Sequence, residues 1–292
     1  MTFKLNILVT GGNGFIGKHL ASHLKKMGHT VTIVDIAGHG PFTTLTHLED
    51  AAEFMRTTDQ GFDAIFHLAA IPRVGLGLNS PEMVLNNNIE STIEVLGYCR
   101  QNPRTKLIFV SSSSVGHSNV KINPYAFSKN VGENLVDLYR KTYGVNASIV
   151  RLFNVYGPGE ARYGQHSTLI RRCKDAYLSG EDFIINGDGS MSRDFTHVDD
   201  VVSGLNLILA DSEKMDGMFD SYELGGPIGP AITVSQVVER FFPKERIKYG
   251  PVRRTDCQTT KSSSRYWPNG WAPKIDILDY IDSWKAAGCP ND

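Results

Sequence analysis

Tyr125 and Lys129 form a Tyr-x-x-x-Lys pair. On a helix spanning 124–143 the two side chains lie one turn apart on the same face. An ammonium beside a phenol favours the phenolate and lowers its pKa, which makes Tyr125 usable as a general acid or base near neutral pH. The same spacing occurs on ordinary helices, and its weight here comes from its position after the fourth main strand of a predicted sheet. Just upstream runs Phe109-Val110-Ser111-Ser112-Ser113-Ser114-Val115. Hydroxyls at the C-terminal end of a parallel strand point into the crevice where ligands bind in such sheets. A serine there can hydrogen-bond a substrate hydroxyl and relay or stabilise its proton. Taken alone, the run also reads as a polar loop capping a strand.

A second group of residues is built for a dinucleotide. Thr10-Gly11-Gly12-Asn13-Gly14-Phe15-Ile16-Gly17 follows the apolar run Leu5 to Val9 and precedes the helical stretch Lys18 to Met27. Strand, glycine loop and helix together place a pyrophosphate on a helix N-terminus. Gly11 permits the tight turn, Gly14 leaves the phosphates room to approach, and Gly17 lets the helix pack close to the sheet. Phe15 and Ile16 belong to the same cofactor-binding turn. The next strand, Thr30 to Val34, ends in Asp35, whose carboxylate can accept both ribose hydroxyls and would repel a 2′-phosphate. The expected cofactor is therefore NAD rather than NADP.

Apolar strands alternate with helical stretches through residue 151, the pattern of an α/β fold with a doubly wound parallel sheet. The predicted strands are 4–10, 30–35, 63–68, 106–111 and 146–151, with a short one near Thr43 to Thr46. The predicted helices are 14–27, 48–56, 81–101 and 124–143. Ser80 and Pro81 suit a helix start as N-cap and first residue, and Pro124 opens the next helix in the same way. After Arg151 glycine and proline become frequent and short elements intermix. Residues 1–151 thus read as a Rossmann-type NAD-binding domain carrying the Tyr/Lys pair. Residues 152–292 read as a smaller α/β part that mainly binds substrate, with some segments returning to the first domain.

The 292 residues carry a net charge of −1 with acids and bases mixed. Neither nucleic acid nor an anionic membrane is suggested as a partner, and no apolar run approaches a membrane span. The first strand starts so near Met1 that no signal or transit peptide is expected. Cys99, Cys173, Cys257 and Cys289 show no CxxC spacing, so the expectation is a reduced cytoplasmic protein with no disulfide and no metal site.

With these residues in hand the chain resembles the NAD-dependent nucleotide-sugar epimerase/dehydratase family of extended short-chain dehydrogenase/reductases. The resemblance is carried by Thr10 to Gly17, Asp35, His67-Leu68-Ala69-Ala70, Asn88, the serine run and Tyr125/Lys129. It continues through Arg151-Leu152-Phe153-Asn154-Val155-Tyr156-Gly157-Pro158, Gly187-Asp188-Gly189-Ser190, Arg193-Asp194-Phe195-Thr196-His197-Val198-Asp199-Asp200-Val201 and Gly270-Trp271-Ala272-Pro273. It implies that Tyr125 is the acid/base and that Lys129 binds the nicotinamide ribose and tunes Tyr125. Counting back three places from Val115, it makes Ser112 the catalytic serine, with Ser113 the second choice. Leu68, Ala69 and Ala70 would line the cofactor. Asn154 would touch the sugar or diphosphate, Arg193 and Arg253 would clamp the diphosphate, and Asp256 would accept from a ribose hydroxyl. Arg193 could instead pair internally with Asp194 or Asp199. His197, Asp199 and Asp200 read as structural, a strand end and a helix N-cap. The helices 81–101 and 124–143 resemble those that pair in family homodimers.

Two departures bear on the reaction. The usual Val-Tyr-Gly after the serine run is here Val115-Gly116-His117, and the loop to Tyr125 is short. Between Ile36 and Gly61 no acid for the adenine amino group is evident, and Thr44, His47 and Asp59 are the substitutes at hand. The dehydratases of the family carry an Asp-Glu pair where this chain has Ser113 and Ser114, and the decarboxylases a Glu where it has Ser114. A serine-only run resembles the 4-epimerases of UDP-sugars, which oxidise C4 with NAD⁺, rotate the keto sugar and reduce it again. A dehydratase or reductase of the same family, and a non-catalytic NAD-binding regulator, are the alternatives. The residue that gates the sugar pocket falls at Thr260 counted from Arg253 and Asp256, or at Gln258 counted back from Gly270-Trp271. Neither is aromatic, so a roomy site open to N-acetyl sugars is expected.

Overall fold

A computed structural model describes residues 4–35, 43–45, 55, 57–58, 60–72, 78–162, 167–211, 221–226, 231–253 and 256–291. The strands among them are β1 (Asn6–Thr10), β2 (Thr30–Val34), β3 (Thr43–Leu45), β4 (Ala64–His67), β5 (Lys106–Ser112), β6 (Ala147–Leu152), β7 (Val155–Tyr156), β8 (Phe183–Asn186), β9 (Ser192–Arg193), β10 (Thr196–His197), β11 (Ser221–Leu224), β12 (Ile232–Thr233), β13 (Ile247–Gly250) and β14 (Thr259–Thr260). The helices used below are α1 (Phe15–Lys26), α2 (Pro81–Gln101), α3 (Ser114–His117), α4 (Pro124–Tyr143), α5 (Leu169–Ser179), α6 (Val198–Ala210), α7 (Val234–Phe241) and α8 (Ile277–Ala286).

The central strands are apolar on both faces, as a sheet covered on both sides requires. Alternate residues feed two separate cores. Ile7, Val9, Phe66, Ile108 and Val150 meet Leu20 and Leu24 of α1 and Val201 and Leu205 of α6. Leu8, Ile65, Leu107, Phe109 and Ile149 meet Val95 and Leu96 of α2 and Val136 of α4. The sheet has seven strands in the order β11-β6-β5-β4-β1-β2-β3, and every pair in it is parallel. The order reverses direction at β1, so the crevice opens beyond the C-terminal ends of β1 and β4.

The predicted helices 81–101 and 124–143 occupy those residues, and the short strand near Thr43 pairs with β2. The predicted helix at 48–56 falls almost wholly outside the described residues, as do His47 and Asp59. One local expectation changes. Ser80 precedes α2 but its side chain makes no capping bond, whereas Asn123 caps α4 by accepting from the Ala126 N–H at 3.1 Å. α4 ends at Gly144, whose left-handed conformation lets its N–H return to Arg140.

The second half builds a further core from Tyr156, Ile170, Phe183, Phe195, Phe241, Ile281 and Trp284. It also returns to the first. β11 extends the main sheet beside β6, and α6 covers the face that α1 covers. Residues 221–224 carry no pattern that marks them as a sheet strand ahead of the structure.

Candidate active site

Gly11 has φ +72, and a Cβ there would lie 2.7 Å from the Ala69 nitrogen. A Cβ on Gly17 would lie 2.2 Å from the Gly11 carbonyl oxygen. Loop, helix and the end of β4 are therefore closed on one another to a distance that admits only glycine. Gly14 takes the N-cap position of α1 without a side-chain cap, which leaves the first-turn N–H groups for an anion. Asp35, just past β2, accepts from the Asn13 N–H at 2.8 Å. Leu68 and Ala69 are held to Thr10 through the Thr10 carbonyl and Oγ1, at 3.1 and 3.3 Å. A narrow glycine cradle with an acid at the neighbouring strand end fits a dinucleotide diphosphate and its ribose.

Behind the loop, His67 bridges Thr10 Oγ1 at 2.7 Å and Thr92 Oγ1 at 3.1 Å. Burial, helped by the charge of Lys129, pushes its pKa down to about 3, so the ring is a neutral strut. Asn88 accepts from the Ile71 N–H at 2.7 Å and donates to Ser128 Oγ at 2.9 Å. Ser128 in turn donates to the Tyr125 carbonyl at 2.8 Å. This chain of bonds ties the loop after β4 to the turn that carries Tyr125.

Tyr125 and Lys129 stand one turn apart on α4, and both line the crevice. Lys129 is 5% exposed. Its Nζ donates to the Val110 carbonyl at 2.8 Å and sits 5.1 Å from the centre of the Phe109 ring. Burial lowers its pKa to about 8, with the Glu133 charge working against the drop. The four serines divide their labour. Ser111 turns away and donates to Glu133 Oε1 at 2.6 Å. Arg151 grips both oxygens of that carboxylate, at 2.9 and 2.6 Å, and so locks β5, α4 and β6 together. The Ser112 oxygen accepts from Ser114 Oγ at 2.9 Å and from the Ser114 N–H at 3.2 Å, which leaves its own hydrogen to donate. Ser113 is buried, and its N–H goes to the Leu152 carbonyl at 2.9 Å.

At the far end, Asn154 adopts φ +34. Its amide nitrogen is spent inside the fold, on the Asp194 carbonyl at 2.6 Å and Thr260 Oγ1 at 3.1 Å. Arg193 donates to the carbonyls of Ser192 at 2.8 Å and Gln258 at 3.3 Å. It does not pair with Asp194 or Asp199. Asp194 Oδ2 accepts from the Ser262 N–H and Oγ at 2.7 and 2.8 Å, and Asp199 faces His19 and His197 at 3.6 and 3.7 Å. With its amide oxygen turned inward, Asn186 accepts from Arg253 Nε at 3.0 Å and Nη2 at 2.9 Å. Asp256 closes the same turn through its N–H to the Arg253 carbonyl at 3.0 Å, while Arg254 and Thr255 lie outside the described residues. The cap of α6 is His197, which accepts from the Asp199 N–H at 3.2 Å. Asp200 Oδ2 accepts from the Lys274 and Ile275 N–H groups, both at 3.0 Å.

One cleft of about 1060 Å³ joins all of this. Gly11, Gly14, Phe15, Ile16, Gly17, Asp35, Leu68, Ala69 and Ala70 line it, and so do Ser112, Ser113, Tyr125, Lys129, Asn154, Arg193, Arg253 and Asp256. Of the two gate candidates Thr260 is in the lining, whereas Gln258 is exposed and donates to Ser190 Oγ at 3.2 Å. Sequence reasoning passed over Arg172 and Glu160, which also line the cleft. The signal for Arg172 was an arginine in the first turn of a helix, where cations are disfavoured. Among the described residues no cluster of His, Cys, Asp or Glu could hold a metal ion, and no helix is long and apolar enough to cross a membrane.

The chain is similar to known proteins. Residues 7–225 match the NAD dependent epimerase/dehydratase family. An uncharacterised UDP-glucose epimerase of Bacillus subtilis, YtcB, is 34% identical over 233 residues, covering 70% of this chain and 72% of that protein. The crystal structure of a UDP-glucose 4-epimerase from Thermotoga maritima with UDP-glucose superposes with a TM-score of 0.81 at 26% identity, over 97% of this chain and 99% of that one. MoeE5 in complex with UDP-glucose and NAD superposes at 0.79 with 27% identity, over 98% of this chain and 100% of that one. With three quarters of its length inside one family's pattern and that family's fold around a dinucleotide loop, the chain belongs to the NAD dependent epimerase/dehydratase family.

Proposed function

We propose that the protein is an NAD-dependent 4-epimerase of a UDP-sugar. The observation that carries this is the cleft that the glycine loop, Asp35, the Ser112/Tyr125/Lys129 group and two arginines without carboxylate partners among the described residues all line. When bound, NAD supplies a hydride acceptor, and later donor, for C4 of the sugar. Tyr125 takes the proton of the 4-hydroxyl at its phenolic oxygen and gives it back after the sugar has turned. Lys129 favours the phenolate by its charge. Ser112 donates its remaining hydrogen to the same sugar oxygen and can pass the proton on. Arg193 and Arg253 hold the diphosphate, with Asp256 on the ribose, so that the sugar can rotate without leaving. Loss of water from C5–C6 would need an acid and a base of its own. Ser113 and Ser114 supply neither, which favours epimerisation over dehydration.

We read residues 1–151 as the NAD-binding domain and 152–292 as mainly substrate-binding, with β11 and α6 returned to the first. We also read the protein as a cytoplasmic homodimer joined through α2 and α4. The unpaired state of all four cysteines supports a reducing compartment, and exposed apolar side chains on both helices support the dimer.

The direct test is NMR of UDP-glucose, UDP-N-acetylglucosamine and UDP-glucuronate incubated with the pure protein. The expected product is the C4 epimer of at least one, without net consumption of added NADH. A 4-keto-6-deoxy product, or no turnover of any of the three, would overturn the assignment.

A further inference from the structure

Helix α5 begins behind the N-cap Thr168 and has no acidic residue in its first turn. Arg171 and Arg172 stand there instead, against a helix dipole that favours negative charge at this end. Arg171 is answered by Asp175, with Nη2 2.5 Å from Oδ1. Arg172 has no carboxylate partner among the described residues. Its guanidinium lies 5.1 Å from the centre of the Phe183 ring and reaches the Ile184 carbonyl only at 3.5 Å. Both it and Arg253 line the cleft, and Arg253 is turned onto the Asn186 amide. Burial first, and the charge of Arg253 second, push the Arg172 pKa down; Asp256 opposes this as a smaller effect. Arg172 rests on Phe183 and Ile184 and Arg253 on Asn186, so strand β8 seats two guanidiniums in one cleft, an arrangement that an anionic ligand relieves.

We propose that Arg172 is a third cationic contact for the nucleotide diphosphate, beside Arg193 and Arg253, and so a determinant of nucleotide affinity. This rests on the nucleotide-sugar reading above. Arg172 then binds phosphate oxygens rather than the base, and the Phe183 ring under its guanidinium keeps the planar fork aimed into the cleft.

The test is calorimetric titration of the parent, Arg172→Met and Arg172→Lys with UDP, GDP and uridine, with NAD binding as the check that each variant is folded. Arg172→Met is expected to weaken UDP by about tenfold or more, the worth of a lost charge-assisted hydrogen bond. Arg172→Lys should recover part of the loss, and uridine should bind both variants as it binds the parent. Two results overturn the proposal: Arg172→Met binding UDP within twofold of the parent, or uridine losing as much as UDP, which would place the contact on the base. A parent that binds GDP and not UDP defeats the uridine reading alone, and the arginine is then judged on GDP by the same criteria. A parent that binds neither diphosphate defeats both.

Discussion

The Lys129 ammonium is anchored to the Val110 carbonyl at 2.8 Å, so the charge beside Tyr125 is fixed by strand β5 and not by helix α4 alone. Its pKa of about 8 reflects burial opposed by Glu133. The charge is present below that pH and lost above it, and with it goes the electrostatic support of the Tyr125 phenolate. The profile of kcat/KM against pH should therefore fall on an alkaline limb near 8. Because the Glu133 carboxylate holds the lysine pKa up, Glu133→Gln should move that limb to lower pH. A limb that stays in place in Glu133→Gln would show that Lys129 does not set it.

Tyr125→Phe removes the group that moves the proton and keeps the ring. Turnover should fall by about two orders of magnitude or more, while the melting temperature and NAD binding stay near the parent's. Near-parental epimerisation by this variant would exclude Tyr125 as the acid/base.

Asp35 is placed at the end of β2 and holds the Asn13 N–H at 2.8 Å. Asp35→Ala should weaken NAD and relax the exclusion of NADP, by loss of both the ribose acceptor and the charge that repels a 2′-phosphate. Calorimetry on the parent that found NADP preferred would contradict the role.

Thr260 lines the cleft and receives a hydrogen bond from Asn154 at 3.1 Å. Thr260→Tyr should lower kcat/KM for UDP-N-acetylhexosamines more than for UDP-hexoses, by steric exclusion of the larger group. Thr260→Val separates loss of the hydroxyl from added bulk, and Gln258→Tyr, outside the lining, should change little. If the parent already rejects N-acetyl sugars while turning over hexoses, the open-gate argument fails.

Helices α2 and α4 leave Met83, Ile93, Phe127 and Leu138 between 41% and 52% exposed. Light scattering should return twice the chain mass at micromolar concentration, and the double variant Phe127→Glu, Leu138→Glu should return the single chain mass with its NAD site intact. A monomeric parent would reject the pairing.

The glycine loop, Asp35, the serine run and the Tyr125/Lys129 pair were legible in the sequence because each is a local pattern. A turn that admits only glycine, an acid ending a strand and two residues one helical turn apart need no knowledge of the rest of the chain. The strands feeding them were legible for the same reason, since a sheet covered on both faces demands unbroken apolar runs. Tertiary structure alone decided the remainder. Residues 221–224 became an edge strand only by pairing with β6. Thr260 rather than Gln258 entered the cleft because β14 pairs with β9 in the register that sets Thr260 beside Arg193. The Asn154 amide was claimed by Asp194 and Thr260, and Arg172 and Arg253, 81 positions apart in the chain, came to line one cleft. These partners are far apart in the chain, and their meeting is set by packing and strand register, which no local spacing encodes.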